Sequence, residues 1–290
     1  MGAPMARRLI GAGIRVRVFN RSADKARAIA ADGATVAADA AACAAGADVV
    51  FIMVPDTPDV EATVAKIEPA LVAGQLVVDM STISPMAERA IASRLKPAGV
   101  DYLDAPVSGG DVGARDGTLA IMVGGGAPAF ERARPLFERL GRRITHMGAS
   151  GAGQMTKLAN QIAVALALEA AAEAIKFARA GGLDASRVVE AIGAGAAGSW
   201  QLSNLGPKII AGDYRPGFFI KLIRKDLRLV AEAARESGLA LPGLSLMASM
   251  FNAAAALGHD LDGTQAVAAA LDRLAEREVV PESNPNFWRP

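Results

Sequence analysis

The chain changes character at GASGAGQMTKLANQ, residues 148–161, where closely spaced glycines give way to a long run rich in alanine and leucine. Lys157 and Asn160 are three residues apart, so a helix places them on one face. A helix over residues 154–180 would be roughly 40 Å long at about 1.5 Å per residue, long enough to cross between two domains. The glycines and this helix therefore predict a boundary between two parts of the chain.

Strand-like and helix-like segments alternate before this boundary. The strand candidates are residues 14–20, 48–54, 75–80, 100–104, 119–123 and 143–147. The continuous apolar run 48–54 is typical of a strand buried on both faces. Alternation at this spacing predicts an α/β fold with a mostly parallel, doubly wound sheet.

Only helical patterns recur after the boundary. The helix candidates are residues 154–180, 185–192, a short piece around 201, 220–237, 244–257 and 264–277, and residues 279–290 are predicted to be irregular. We therefore predict an α/β domain at residues 1–150 and an all-helical domain at residues 151–290.

The composition excludes several classes of protein. The 290 residues carry 31 basic and 30 acidic side chains, and this net charge of +1 attracts neither nucleic acid nor an anionic membrane. Charged residues interrupt the apolar run 162–178, which argues against a membrane span. A single cysteine and two histidines without carboxylate or cysteine at ligand spacing predict no metal site. We expect a soluble, cytoplasmic protein.

Two polar segments follow predicted strands, at the edge where doubly wound sheets bind ligands. The first is DMSTISP, residues 79–85, which is equally typical of an ordinary helix entrance. The second is DAPVSGG, residues 104–110, whose two glycines free backbone amides for a concave site suited to a carboxylate. A simple chain reversal is the alternative for the second segment.

Four segments, in order along the chain, resemble the motifs of the β-hydroxyacid dehydrogenase family, which includes 3-hydroxyisobutyrate dehydrogenase and tartronate semialdehyde reductase. MGAPMA at residues 1–6 is similar to the end of the family's turn G-x-G-x-M-G-x-P-M-A. The other three are DMSTISP, DAPVSGG and GAGQMTKLAN, and the resemblance extends to about Leu227. It implies that residues 1–150 are a dinucleotide-binding domain, Rossmann-type to about residue 148, and that residues 151–290 are an all-helical domain for substrate binding and oligomerisation. It also implies an active site in the cleft between them.

The resemblance assigns proton transfer to Lys157, its orientation to Asn160, and the substrate carboxylate to Ser108, Gly109 and Gly110. Hydride reduction of a carbonyl leaves a developing alkoxide, which needs a proton donor within hydrogen-bond reach. In the oxidative direction the lysine must accept a proton, which is difficult near its usual pKa of about 10.4 unless burial lowers it. A solvated lysine near a helix start is the alternative.

The resemblance also implies a nicotinamide cofactor. An acidic residue ending the second strand of such a domain would bind the adenosine ribose, but this chain has Asn20 there. Arg21 can pair with a 2′-phosphate, which favours NADP, with NAD possible. The resemblance implies that Lys225, in the segment FFIKLIRKDL at residues 218–227, reaches the cofactor site. The alternative is that this segment is a solvated basic face of a helix. The cofactor-binding candidates are Met1, Gly2, Asn20, Arg21, Ser22, Val54, Pro55, Thr82 and Lys225.

Only the last glycine of the family's phosphate-binding turn, Gly2, is present, and the sequence opens with a helix pattern where the family has a strand. We therefore expect an additional strand upstream, so that the sheet lacks its first strand here. The predicted function is NADP-linked interconversion of a small β-hydroxyacid and its semialdehyde or keto acid by a homo-oligomer. The alternatives are an imine or succinic-semialdehyde-type reductase and a non-catalytic nucleotide-binding scaffold.

Overall fold

The structure, a computed structural model, describes residues 1–275 and contains two compact units. The first unit comprises Met1–Val164 and Leu222–Leu244, and the second comprises Ala165–Lys221 and the chain from Ser245 onward. The first unit thus contains the α/β part of the chain, the helical residues that follow it up to Val164, and the later segment Leu222–Leu244. The predicted domain limits at residue 150 stay a prediction.

The strands all lie in the first unit, and they are bounded as follows: β1 (Arg17–Val18), β2 (Thr35–Val36), β3 (Val49–Ile52), β4 (Leu76–Asp79), β5 (Asp101–Asp104), β6 (Val107–Ser108), β7 (Leu119–Gly125) and β8 (Gly141–Gly148). The helices, in chain order, are α1 (Gly2–Gly11), α2 (Ala23–Ala30), α3 (Ala40–Ala44), α4 (Thr57–Ile67), α5 (Pro85–Leu95), α6 (Gly110–Asp116), α7 (Ala127–Leu140), α8 (Ala152–Ala180), α9 (Ala185–Gly193), α10 (Trp200–Asn204), α11 (Gly206–Ala211), α12 (Ile220–Glu236), α13 (Pro242–Ala256) and α14 (Val267–Ala275). Short 3-10 helices occupy Glu68–Ala70, Lys96–Ala98, His259–Leu261 and Thr264–Ala266.

The strands form two sheets. β1 and β2 form a parallel pair, and the other six strands form a sheet in the order β3-β4-β5-β7-β6, with β8 pairing β7. β3, β4 and β5 are parallel, β7 runs antiparallel to β5 and β6, and β8 is parallel to β7. The prediction of a mostly parallel sheet is confirmed. The additional upstream strand stays a prediction.

Helices cover both faces of the larger sheet. Leu9 of α1, Ala114 of α6 and Phe137 of α7 are buried together on one face. Ala44 of α3, Val64 of α4, Leu95 of α5 and their neighbours are buried on the other. The doubly wound arrangement is therefore confirmed, because each apolar helix face is buried against one side of the strands.

The prediction that segment 48–54 is a strand buried on both faces was wrong. In β3 only Ile52 is fully buried, and the other three residues are partly exposed. β3 is an edge strand of the six-stranded sheet, so it lacks a neighbour on one side. The fully buried strand is β4, which lies between β3 and β5.

The predicted elements are confirmed with shifted ends, and five elements were missed. β1 is shorter than the predicted strand 14–20. β2 and β6 have two residues each, too few to show a periodic pattern. The helices that the sequence did not reveal are α4, α6 and α11. The predicted irregular segment 279–290 lies outside the described residues.

The described part of the second unit is helical, apart from an isolated bridge between Phe219 and Gly263. The later part of α8 forms its core with Ala165, Leu168, Ala172 and Ile175 buried. α8 is long and apolar enough to cross a membrane by length and composition, but 44% of its most apolar window is buried inside the structure. This burial is consistent with the core helix of a soluble protein.

The start of α8 lies directly on the sheet. A Cβ atom on Gly153 would lie 2.4 Å from the carbonyl oxygen of Met122 and 2.5 Å from that of Asp104. Real Cβ atoms do not approach backbone so closely. The second glycine of the G-x-G segment is thus required by the packing of α8 on β5 and β7.

Gly153→Ala is expected to lower the free energy of unfolding by about 1–3 kcal/mol, the usual range for overpacking. The matched control is Gly11→Ala at the end of α1, where an added Cβ meets nothing within 4 Å. The control is expected to raise stability by about 0.5–1 kcal/mol, because alanine loses less backbone entropy. Urea denaturation monitored by circular dichroism measures both, and equal effects would contradict the close approach.

Candidate active site

Asp104 fixes where α8 begins. Its carboxylate, at the end of β5, accepts hydrogen bonds from the backbone N–H groups of Gly151 (2.7 Å) and Gln154 (3.0 Å). These N–H groups lie at the helix start, where they have no partner within the helix and where the helix dipole favours a negative charge. The bonds attach the first turn of α8 to the sheet, and Lys157 follows one turn later.

Gln154 attaches the same helix turn to the loop after β4. Its side-chain amide donates to the carbonyl oxygen of Ser81 (2.9 Å), and its carbonyl oxygen accepts from the backbone N–H of Ile83 (3.2 Å). The amide also donates to the carboxyl group of Glu88 at 2.6 Å. These contacts hold Thr82, which lies between Ser81 and Ile83, at a set distance from α8.

Two buried carboxyl groups lie beneath this loop. Glu88 accepts a hydrogen bond from the Tyr102 hydroxyl at 2.5 Å and lies beside Asp79, whose Oδ2 atom is buried with no hydrogen-bond partner among residues 1–275. Burial, reinforced by the neighbouring Asp79 and Asp104, holds the pKa of Glu88 well above its usual range. Burial likewise raises the pKa of Asp79 to about 6. Two neighbouring buried carboxyl groups resist ionising together, so Glu88 keeps its proton at neutral pH while Asp79 ionises.

The ends of β3 and β4 meet through Ser81. The Ser81 hydroxyl accepts a hydrogen bond from the backbone N–H of Val54 (2.9 Å), and the Thr57 hydroxyl accepts one from the N–H of Ser84 (3.1 Å). Val54 and Thr82, two of the sequence-predicted cofactor residues, therefore lie on adjacent loops. Pro55 follows Val54 and is exposed.

Lys225 joins the same loop from α12. Its ammonium group donates to the carbonyl oxygen of Thr82 and pairs with Asp226 at 2.8 Å. The Lys225 side chain is only 13% exposed, so it does not lie on a solvated basic face. The structure thus brings Thr82 and Lys225 together, although the sequence places them 143 residues apart.

Lys157 is buried, with 7% of its surface exposed. Burial lowers the pKa of Lys157 to about 8; the nearby Lys225 lowers it further, and the carboxylate of Asp226 opposes both. Among residues 1–275 the ammonium group has no hydrogen-bond or ion-pair partner. Lys157 is therefore a buried amine that changes charge close to neutral pH.

Among the hydrogen bonds of residues 1–275, none joins the side-chain amide of Asn160 to Lys157. The amide donates instead to the side-chain oxygen of Gln161 at 2.8 Å. Gln161 in turn donates to the carboxylate of Asp226 at 2.5 Å. The predicted partner of the lysine is thus the end of a hydrogen-bonded chain that reaches α12.

The Ser108–Gly110 turn follows β6. Gly109 has φ 131° and Gly110 has φ 64°, a region of backbone conformation that favours glycine. Ser108 is half-buried and Gly109 is exposed. Within the described chain no hydrogen bond joins this turn to Lys157 or Asn160, so their convergence on one substrate stays a prediction.

Comparison with known proteins shows which families the chain matches. The NAD binding domain family of 6-phosphogluconate dehydrogenase matches residues 1–148, and the family described as NAD-binding of NADP-dependent 3-hydroxyisobutyrate dehydrogenase matches residues 151–270. The chain is 42% identical to 2-hydroxy-3-oxopropionate reductase of Escherichia coli over 96% of each chain. It is 40% identical to NAD-dependent L-serine dehydrogenase of Pseudomonas aeruginosa over 87% of this chain and 88% of that one.

A solved structure gives the same result. Mycobacterium tuberculosis 3-hydroxyisobutyrate dehydrogenase with L-serine superposes with a TM-score of 0.87 at 36% identity, covering 93% of this chain and 95% of that one. The chain belongs to the β-hydroxyacid dehydrogenase family. It is an NAD(P)-dependent oxidoreductase acting on CH–OH groups, and the scaffold alternative is set aside.

Of the residues predicted to bind the nicotinamide cofactor, the first two lie at a helix start, and their role stays a prediction. Met1 and Gly2 begin α1, whose first-turn N–H groups are donors suited to an anion. A Cβ on Gly2 would meet Met53 only at 3.7 Å, an ordinary contact, so packing within the protein does not require glycine there.

The segment predicted to bind the adenosine end is on the surface. The Asn20 side chain accepts a hydrogen bond from the N–H of Ser22 at 2.9 Å. Ser22 is at the N-cap position of α2, although its side chain makes no capping bond. The guanidinium of Arg21 lies 3.1 Å from Asp59, and its side chain is 74% exposed.

Several polar residues of this site were missed by the sequence analysis. They are Glu88, Asp104, Gln154, Gln161 and Asp226, all nearly fully buried. Four of them lie inside or beside the quoted motifs. A polar residue at a position of a motif that is expected to be buried was therefore the signal by which they could have been found. Among residues 1–275 no group of three or more His, Cys, Asp or Glu side chains could hold a metal ion, and the absence of a metal requirement stays a prediction.

Asp79→Asn is expected to stabilise the protein at pH 7.5. Because the folded-state pKa of about 6 exceeds the usual 3.8, the stability that Asp79 contributes is fully present below about pH 3.8 and is lost as the pH rises through 6. Asparagine still accepts from the N–H of Ser81 and can donate to Glu88. We expect a gain of about 1–3 kcal/mol at pH 7.5, the usual cost of an unsatisfied buried polar group, and little gain at pH 4.

Urea denaturation at the two pH values measures this effect. The control is Asp101→Asn, which removes an exposed carboxylate at the start of β5 that pairs with Arg132. A loss of stability in Asp79→Asn at pH 7.5 would contradict the cost of ionising Asp79 at this buried position.

Proposed function

We propose that this protein catalyses the reversible NADP-linked reduction of a small semialdehyde or keto acid to its β-hydroxy acid, with Lys157 as general acid and base. The observation that carries the proposal is the state of Lys157: a buried amine without a partner among the described residues, with its pKa lowered to about 8. A structural lysine would be paired or solvated. A proton-transfer group needs a pKa close to the working pH.

The bound nicotinamide would donate the hydride in reduction and accept it in oxidation. In reduction, the carbonyl carbon gains the hydride, and the Nζ atom of Lys157 gives a proton to the developing alkoxide oxygen. In oxidation, neutral Lys157 takes the hydroxyl proton while the hydride leaves the carbon. A pKa near 8 populates both forms of the lysine near neutral pH, so one residue serves both directions.

The other predicted residues supply binding. Ser108, Gly109 and Gly110 hold the substrate carboxylate with the serine hydroxyl and backbone amides, and Asn160 orients the reacting oxygen. Thr82 and Lys225, which are hydrogen-bonded to each other, lie by the nicotinamide half of the cofactor. Met1, Gly2, Val54 and Pro55 bind the diphosphate and ribose, and Asn20, Arg21 and Ser22 bind the 2′-phosphate. Residues 1–150 form the dinucleotide-binding domain and residues 151–290 the substrate domain of a cytoplasmic homo-oligomer.

The substrate class follows from the relatives' names. These enzymes are named for 2-hydroxy-3-oxopropionate, 3-hydroxyisobutyrate and L-serine, all small acids with oxygen on the third carbon. A panel of these compounds and succinic semialdehyde, assayed by nicotinamide absorbance with both cofactors, tests the proposal. Faster reduction of a cyclic imine than of any aldehyde acid would favour the imine reductase alternative.

Lys157→Met is expected to lower kcat by about 10²–10⁴-fold, the usual contribution of general acid–base catalysis. The same change is expected to stabilise the fold below pH 8, because the wild-type protein pays for a buried ammonium whose pKa is below the usual 10.5. Steady-state kinetics and urea denaturation measure the two effects. Wild-type turnover in this variant would remove Lys157 from the mechanism.

Arg21→Gln is expected to raise the KM for NADPH by about 10–100-fold while leaving NADH kinetics unchanged, since a charge-assisted hydrogen bond contributes about 1.5–3 kcal/mol. The ion pair of Arg21 with Asp59 is mostly exposed, so it competes weakly with a phosphate. Arg27→Gln is the control, because Arg27 forms a similar exposed ion pair with Asp24 in α2. Equal losses with NADPH and NADH would argue against a 2′-phosphate contact.

A further inference from the structure

A continuous chain of polar contacts links α8 to α12 inside the first unit. Asn160 donates to Gln161 (2.8 Å), and Gln161 donates to one oxygen of Asp226 (2.5 Å). The other oxygen of Asp226 pairs with Lys225 (2.8 Å), which also donates to Thr82. The chain therefore connects residues of the candidate active site on three segments of the fold.

The carboxylate sets the direction of the two amide hydrogen bonds in this chain. Asp226 is 2% exposed and pairs with the Lys225 ammonium group, and a paired carboxylate can only accept hydrogen bonds. Gln161 must then present its NH₂ group to Asp226 and its carbonyl oxygen to Asn160. Asn160 must present its NH₂ group to Gln161, and its Oδ1 atom, which has no partner among residues 1–275, can then accept.

The charge of Asp226 also acts beyond its hydrogen bonds. Asp226 is the carboxylate whose field favours the charged form of Lys157, whereas Lys225 disfavours it. Gln161 is four residues after Lys157 and so lies on the same face of α8. One carboxylate thus pairs with Lys225, accepts a hydrogen bond from Gln161 and raises the pKa of Lys157.

We propose that Asp226 is the positioning residue of this active site: through Gln161 it turns the Oδ1 atom of Asn160 toward the reacting groups, and it is the counter-ion shared by Lys225 and Lys157. The inference rests on the proposed function and extends it to residues that touch neither substrate nor cofactor.

The direction of the amide matters because the groups that Asn160 would meet are donors. A substrate hydroxyl and the ammonium form of Lys157 both offer hydrogens, and Oδ1 accepts them. A reversed amide would place NH₂ against these donors and leave them without an acceptor. Asp226 prevents this reversal from a position outside the reaction centre.

Replacing Asp226 by asparagine removes the counter-ion and keeps the shape. Burial and Lys225 then lower the pKa of Lys157 without opposition. In the pH profile of kcat/KM, one limb reports the ionisation of Lys157. We expect this limb to move to lower pH by about one unit or more, which is the usual size of the pKa shift that a nearby charge causes. Asp226→Glu, which restores the charge, is expected to return the limb toward its wild-type position.

Gln161→Met separates orientation from charge. It breaks the amide chain and leaves the carboxylate, so we expect kcat to fall by about tenfold or more while the limb stays in place. Glu190→Gln, on exposed α9, is the control for removing one negative charge, and no change is expected. An unmoved limb in Asp226→Asn, or wild-type kcat in Gln161→Met, would overturn the proposal.

A second readout does not depend on turnover. The difference in unfolding free energy between each protein and its Lys157→Met counterpart, measured from pH 6 to pH 11, reports the ionisation of Lys157. The unfavourable contribution of the ammonium is full below the folded-state pKa and fades as the pH rises toward 10.5. In Asp226→Asn the fading is expected to begin at lower pH.

Lys225→Met is the second variant for this measurement, and it is used if Asp226→Asn does not fold. Removing this neighbouring ammonium is expected to shift the fading to higher pH, the direction opposite to that of Asp226→Asn. If the pH at which the ammonium contribution fades shifts in neither Asp226→Asn nor Lys225→Met, the counter-ion role of Asp226 is overturned. Failure of every substrate in the panel would sink the proposed function, whereas these unfolding measurements would still decide what Asp226 does to Lys157.

Discussion

The capping of α8 by Asp104 is the contact on which the candidate active site depends. One carboxylate at the end of β5 accepts from two N–H groups of the helix start, and glycine at position 153 lets the backbone of α8 lie on β5 and β7. Lys157, Asn160 and Gln161 then follow at helical spacing. Their positions relative to the sheet are set by this contact rather than by their own side chains.

Buried charge is the second constraint on this unit. Glu88 stays protonated beside Asp79 beneath the Ser81–Ile83 loop, and Asp226 pairs with Lys225 and raises the pKa of Lys157. Each buried ionisable group costs stability unless it is neutralised or paired. Glu88 is neutral and Lys225 is paired, whereas Asp79 has a raised pKa and Lys157 has a lowered one. A group maintained against stability in this way is typical of a functional residue.

Much of the fold was predictable from residue patterns, because burial imposes a period on each segment. The long α8, the apolar strands β4 and β7 and the alternation of strands and helices are confirmed. Two-residue strands such as β2 and β6 lack a period and were missed. β3 was expected to be buried on both faces, but it lies at the edge of the sheet. Its edge position depends on which strands pair, and the residues of one strand do not specify its neighbours.

Local patterns in the residues are enough to indicate the family, the two-part architecture and the candidate residues Lys157, Asn160, Ser108 and Thr82, because glycine turns and motif spacing are local. The hydrogen bonds of Lys225 to Thr82 and of Asn160 to Gln161, and the effect of Asp226 on the pKa of Lys157, emerge only when the chain is folded. Hydrogen bonds and pKa values depend on which segments burial brings within a few ångströms. Sequence separation carries no information about that distance.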